Sequence, residues 1–232
     1  LMEDGNIFRA EFMKKNSLNC QKKLMEKFGG SLNNFSKSEK QNILEMKISE
    51  IKKLLKTKKI TSEELVNIHI EQVQTYDSLI NAVCTFIPEM AIEHAKKIDK
   101  NFDFSSPLSG IPTFIKDLNL TKGIRTTKGS PIYSNYIPDE DDLVVKKIKS
   151  SGAIILGKTN TPEFGAGSHT FNEVFDTTVN PYNLDKTAGG SSGGAGAALA
   201  ARMITIAQGS DMGGSLRNPA AWNNVVGFRT TI

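Results

Sequence analysis

TAGGSSGGAGAALAARMITIAQGSDMGGSLR, from Thr187 to Arg217, sets two serines in glycine. Ser191 stands inside GGSSGG, and Ser215 follows DMGG 24 residues later. Eight of the chain's 19 glycines fall between Gly189 and Gly214. The stretch is not a linker, because an apolar run from Ala195 to Ala207 crosses its middle. Glycine at both ends of an ordered segment predicts backbone that turns sharply or lies close to a ligand. Bare N–H groups beside a serine hydroxyl suit acyl transfer, which needs a nucleophile and a place for an oxyanion.

A serine hydroxyl needs a base to take its proton. The three histidines are weak candidates: His69 and His94 lie in helical patterns, and His169 sits in a glycine-rich loop where a structural role is commoner. Lys116 is the better choice. It lies in the apolar, strand-like run Ile111 to Leu118, and burial lowers a lysine pKa from about 10.4 towards neutrality. A lone lysine at a strand end ordinarily reaches solvent. Ser192 has an ordinary reading as the cap of the helix Ala195 to Met203, which leaves Ser191 for chemistry, although sequence alone does not separate the two. Asp211 and Arg217 flank Ser215 and are expected to pair and fix its turn.

Two motif matches are rejected. GGSSG fits the G-x-S-x-G nucleophile elbow, which needs a strand before it and a histidine after it. NPYNLDKTA reads as loop, and no histidine follows His169. GAIILGKT fits a phosphate-binding loop, but its middle residues read as a buried strand, and Pro162 argues against the helix that should follow.

With GIPTFIKDL (Gly110 to Leu118), GKTNTPEFGAGSHTF (Gly157 to Phe171), GGSSGG and GSDMGGSLRNPAAWNNVVGFR (Gly209 to Arg229) in this order, the chain resembles the amidase signature family of Ser–Ser–Lys serine amidases. The resemblance implies that Ser215 is the nucleophile, that Ser191 is a bridging serine after a cis peptide from Gly190, and that Lys116 is the base. It implies an oxyanion hole from the N–H groups of Met212, Gly213, Gly214 and Ser215, with Gly165 lining the acyl pocket. Hydrolysis of a carboxamide to acid and ammonia or amine follows, with no cofactor and no metal. A glutamine amidotransferase subunit, or a non-catalytic relative that keeps the motifs, remains as an alternative. Relatives are expected to continue beyond VGFR, usually with proline where Thr230 stands, so the chain is expected to be incomplete after what reads as a core strand, poorly soluble and weakly active on its own.

Strand and helix patterns alternate, which predicts an α/β fold with a mixed, largely parallel sheet flanked by helices. Thr61-Ser62-Glu63-Glu64 is a capping box opening a helix through Leu65, Ile68 and Val73. Strands are expected at Asn81 to Phe86, Ile111 to Leu118, Ala153 to Leu156 and Ile204 to Ala207, and helices at Ile48 to Leu55, Pro88 to Ile98 and Asp141 to Ser150. Residues 1–46 read as a helical extension with no assigned role, and 47–232 as the incomplete amidase domain. A net charge of +4 from 29 basic and 25 acidic residues is too mild to argue for nucleic acid. No apolar run has transmembrane length, and two cysteines imply no disulfide framework, so the expected setting is cytoplasmic. The expected partner is a small-molecule amide, with a homodimer left open.

Overall fold

The computed structural model describes residues 35–101, 103 and 105–230. The helical pattern read for Phe8 to Met46 therefore lies mostly outside the described residues; its end is helix α1, Lys37–Glu45. Helix α2 is Ile48–Lys56. Helix α3, Ser62–Ile80, opens on the expected capping box: Glu64 N–H donates to Thr61 Oγ1 at 3.1 Å, and Thr61 N–H donates to Glu64 Oε2 at 2.9 Å. It stops at Asn81, whose left-handed φ of 58° turns the chain out of the helix. Strand β1 (Val83–Phe86), helix α4 (Pro88–Lys100) and strand β2 (Pro112–Lys116) follow. A loop and helix α5 (Leu143–Ser150) lead to strand β3 (Ile154–Thr159). The chain then forms the short strands β4 (Val179–Asn180) and β5 (Asn183–Thr187), helix α6 (Gly193–Ala200), strand β6 (Ile206–Ala207) and helix α7 (Arg217–Trp222).

The main sheet runs β1-β3-β2-β6. β2 is parallel to both β3 and β6, while β1 is antiparallel to β3, so the sheet is mixed and largely parallel as expected. Strands covered on both faces become continuous apolar runs, and β2 and β3 are buried at every residue. Phe114, Ile154 and Leu156 pack with Val66, Ile70 and Ile80 of α3 and with Ala197 and Ala198 of α6. Each large side chain so buried contributes about 1.5–3 kcal/mol. A second cluster joins Ile43 and Leu44 of α1 to Ile51, Leu65 and Ile111, so α1 shares a core with the elements after residue 46. Among the described residues, no helix is long and apolar enough to cross a membrane.

Four local readings are corrected. NPYNLDKTA is not a loop throughout: β5 pairs antiparallel with β4, although this ribbon is separate from the main sheet. β3 continues through Gly157, Lys158 and Thr159, because Thr85, Phe86, Phe114 and Lys116 supply its pairing partners. Helix α6 begins at Gly193 rather than Ala195. The segment after Asn223 is not a core strand: it is irregular, with Val226 91% and Phe228 78% exposed.

Candidate active site

β2 delivers Lys116 at its last residue, and the strand's burial carries the whole side chain out of water. Its Nζ lies 2.6 Å from Ser191 Oγ and 2.9 Å from Ser210 Oγ. Desolvation lowers the Lys116 pKa from 10.5 to about 7, against a smaller opposing pull from the Asp211 charge. The side chain is fully buried, so the solvent-reaching alternative does not hold, and at a pKa of about 7 roughly half of the amine is neutral at pH 7.

Ser191 is buried in the turn that opens α6, and the Gly190–Ser191 peptide is cis, as expected. Small residues let this turn sit against its neighbours. A Cβ on Gly194 would stand 2.6 Å from the Ala82 carbonyl oxygen and closer still to Asn160 N, where α6 meets the ends of β1 and β3. Thr170 ties the turn together: its Oγ1 donates to the Gly189 carbonyl at 2.8 Å and accepts from Gly193 N–H at 3.1 Å. Ser192 occupies the helix N-cap position but makes no side-chain cap bond. Its hydroxyl instead meets the Ser210 backbone, at 3.2 Å from both N and O. The expected division of labour is thus corrected in one half: Ser192 fastens α6 to the Ser210 segment, and Ser191 faces Lys116.

Ser215 is half-buried on the turn between β6 and α7. Ser192 N–H donates to its carbonyl at 2.9 Å, which docks the turn against the Ser191 segment. Among the described residues its Oγ makes no hydrogen bond. Asp211 organises the turn, accepting from Gly214 N–H at 2.8 Å and pairing with Arg217 at 2.8 Å through Nε. The Arg217 hydrogen bond holds the Asp211 carboxyl well below the usual carboxylate range. The expected ion pair is present, and it has a consequence for the oxyanion donors. Gly214 N–H is occupied by Asp211, whereas the N–H groups of Met212, Gly213 and Ser215 carry no hydrogen bond among the described residues. Gly165 is brought close: a Cβ there would lie 3.7 Å from Ser191 Oγ and 3.0 Å from Leu118.

The histidines stay out of this group. His69 is buried on α3, its Nδ1 3.1 Å from the Met203 carbonyl, and burial lowers its pKa to about 4. His169 bonds Thr187 Oγ1 at 3.2 Å beside the Trp222 ring. Lys158, the lysine of the rejected phosphate-loop match, is buried inside β3 and donates to Asn119 O, Thr121 Oγ1 and Thr126 Oγ1 at 2.6–2.9 Å. Sequence reasoning missed Ser210. Its signal was available: a hydroxyl beside Asp211, on the turn that carries Ser215.

A family profile described as Amidase matches residues 64–232. A glutamyl-tRNA(Gln) amidotransferase subunit of Dehalococcoides mccartyi strain CBDB1 is 43% identical over 190 residues, covering 81% of this chain and 39% of that protein. Among solved structures, 6-aminohexanoate cyclic dimer hydrolase matches with a TM-score of 0.71 at 35% identity, covering 76% of this chain and 36% of the other. A bacterial aryl acylamidase of the amidase signature family matches with a TM-score of 0.71 at 35% identity, covering 77% and 38%. The chain thus spans about two-fifths of the length of the curated relatives it matches.

Proposed function

The chain belongs to the amidase signature family, and on that premise we propose that it carries the acyl-transfer centre of a serine amidase. The observation that carries this reading is the buried Lys116 Nζ, 2.6 Å from Ser191 Oγ with a pKa of about 7. In the proposed reaction, neutral Lys116 takes the Ser191 proton while Ser191 takes that of Ser215. Ser215 Oγ forms a bond to the amide carbonyl carbon. The resulting oxyanion is held by the N–H groups of Met212, Gly213 and Ser215, with Gly214 already committed to Asp211. Collapse breaks the C–N bond, and the relay returns its proton to the departing nitrogen as ammonia or amine. Water, deprotonated by the same relay, then hydrolyses the Ser215 ester to the acid. Gly165 leaves room beside Ser191 for the acyl group. No step draws on a metal or a cofactor.

The second reading is an amidotransferase subunit that releases ammonia from an amide for a partner protein. It is supported by the 43% identity to the Dehalococcoides glutamyl-tRNA(Gln) amidotransferase subunit. A cytoplasmic setting belongs to both readings. A fluorophosphonate probe tests the shared chemistry. Labelling of the chain alone, lost in Ser215→Ala and retained in Ser192→Ala, is the expected result. Labelling that survives Ser215→Ala would remove the proposed nucleophile. Hydrolysis of a simple aryl amide without a partner would favour the first reading, and glutamine-dependent ammonia release only with a partner the second.

A further inference from the structure

The parallel ladder between β2 and β6 is two residues long, pairing Thr113 with Ile206 and Phe114 with Ala207. Gln208 N–H extends it by donating to the Phe114 carbonyl at 2.9 Å. In a regular parallel ladder the next bond would run from Lys116 N–H to the main-chain carbonyl of Gln208. The chain instead leaves the sheet at Gly209, and the Lys116 N–H donates to the Gln208 side-chain oxygen, Oε1, at 3.0 Å. Gln208 Nε2 in turn donates to the Gly209 carbonyl at 2.8 Å. The side-chain amide thus occupies the place of the missing peptide unit. One of its ends holds the backbone of Lys116, and the other holds the residue before Ser210, which also contacts Lys116 Nζ.

We propose that Gln208 is a positioning residue for Lys116: its side-chain amide continues the β2–β6 ladder past the end of β6 and sets where Lys116 meets Ser191 and Ser210. The inference rests on Lys116 as the base of the proposed amidase. A buried donor left without a partner is costly, so removing Oε1 forces the Lys116 backbone to move or to admit water. A displacement near 1 Å is enough to cost about 10²-fold in rate.

The test uses the full chain and two variants of similar side-chain length. Gln208→Met removes the acceptor; kcat on an aryl amide is expected to fall about 10²-fold with KM little changed, and the pH–rate midpoint to move. Gln208→Glu keeps the acceptor for Lys116 N–H, loses the donor to Gly209 and adds a negative charge, so it is expected to recover part of the lost rate at alkaline pH with the midpoint raised. A Met variant with the wild-type kcat and midpoint would overturn the proposal. If that variant does not fold, the wild-type protein still decides. In a uniformly labelled sample, a scalar coupling across the hydrogen bond is expected between Lys116 15N and Gln208 13Cδ. Its absence, where the Gln208 15N to Phe114 carbonyl coupling is resolved, would overturn it too. A wild-type chain that takes no fluorophosphonate label at Ser215 would count against the amidase reading instead, and the coupling would still show whether Gln208 holds Lys116.

Discussion

Lys116 and Lys158 stand near the ends of neighbouring parallel strands, both buried, yet they do different work. Lys158 has three oxygen acceptors fixed by the loop after β2, a complete set for an ammonium, and its pKa falls only to about 8. Lys116 has two serine hydroxyls and a pKa near 7, both suited to passing a proton. The amine accepts only when neutral, so kcat/KM is expected to rise with pH through about 7 and then level off. Lys116→Arg, permanently charged, should give no such rise and no measurable turnover. A rate that falls as pH climbs from 6 to 8 would exclude Lys116 as the base. Asp211 supplies the opposing electrostatic pull, raising the Lys116 pKa. Asp211→Asn is therefore expected to move the midpoint of the same profile to lower pH while reducing kcat, because the Arg217 pair that shapes the Ser215 turn is lost. Stopped assays on that variant's residual activity across pH 5–8 check both effects.

The elements that sequence located well are those with a strong local cause. The Thr61–Glu64 box, the proline at the first turn of α4 and the apolar runs of β2 and β3 each leave one conformation far ahead of the rest. Ser191, Lys116 and Ser215 were legible as candidates because the serines stand out in glycine and the motifs, taken in order, outweigh the ordinary solvent reading of a lone lysine. What stayed hidden depends on contacts distant in sequence. β5 is a strand only because β4 lies beside it, and the far end of β3 is set by Thr85 and Lys116 on other strands. Ser192 resembles a cap until Ser210, 18 residues away, claims its hydroxyl. Segment 224–229 carries an apolar pattern that reads as a strand but has no strand partner among the described residues. The same dependence makes α6 a sensitive element. Its first turn touches the Asn160 and Ala82 backbone, so Gly194→Ala must push the helix away from the sheet, at a cost of about 1–3 kcal/mol. Gly213→Ala meets nothing within 4 Å and should leave stability unchanged. Urea midpoints for the two variants make the comparison; equal midpoints would show that the α6 contact is softer than its geometry implies.

Across the whole molecule, buried ionisable groups set an unusual dependence of stability on pH. Burial holds the Lys116 pKa near 7 and that of Lys158 near 8, both below the 10.5 of an exposed lysine. Between those values and 10.5 the unfolded chain binds more protons than the folded one, so stability rises with pH in that window. The opposite influence of Asp77, whose carboxyl burial raises to about 6, is complete below pH 7. So is the loss of stability on acidification that comes from His69, at about 4. From pH 7 to 9 the lysines therefore dominate these buried groups, and the unfolding free energy is expected to grow by roughly 3–4 kcal/mol. Above pH 9 the rise should slow, ending near 10.5. Burial keeps the Cys84 thiol protonated in the folded state, while in the unfolded chain it ionises, so folded protein then holds the extra proton. Urea unfolding at half-unit steps from pH 6.5 to 10 reads the whole curve. Lys116→Met removes one of the two titrations and should flatten the rise between pH 7 and 9, most visibly by raising stability at the acidic end, where the charged ammonium is hardest to bury. A wild-type curve that is flat or falling over that interval would mean that water or a counter-charge reaches the two lysines, and the neutral base at Ser191 would lose its physical basis.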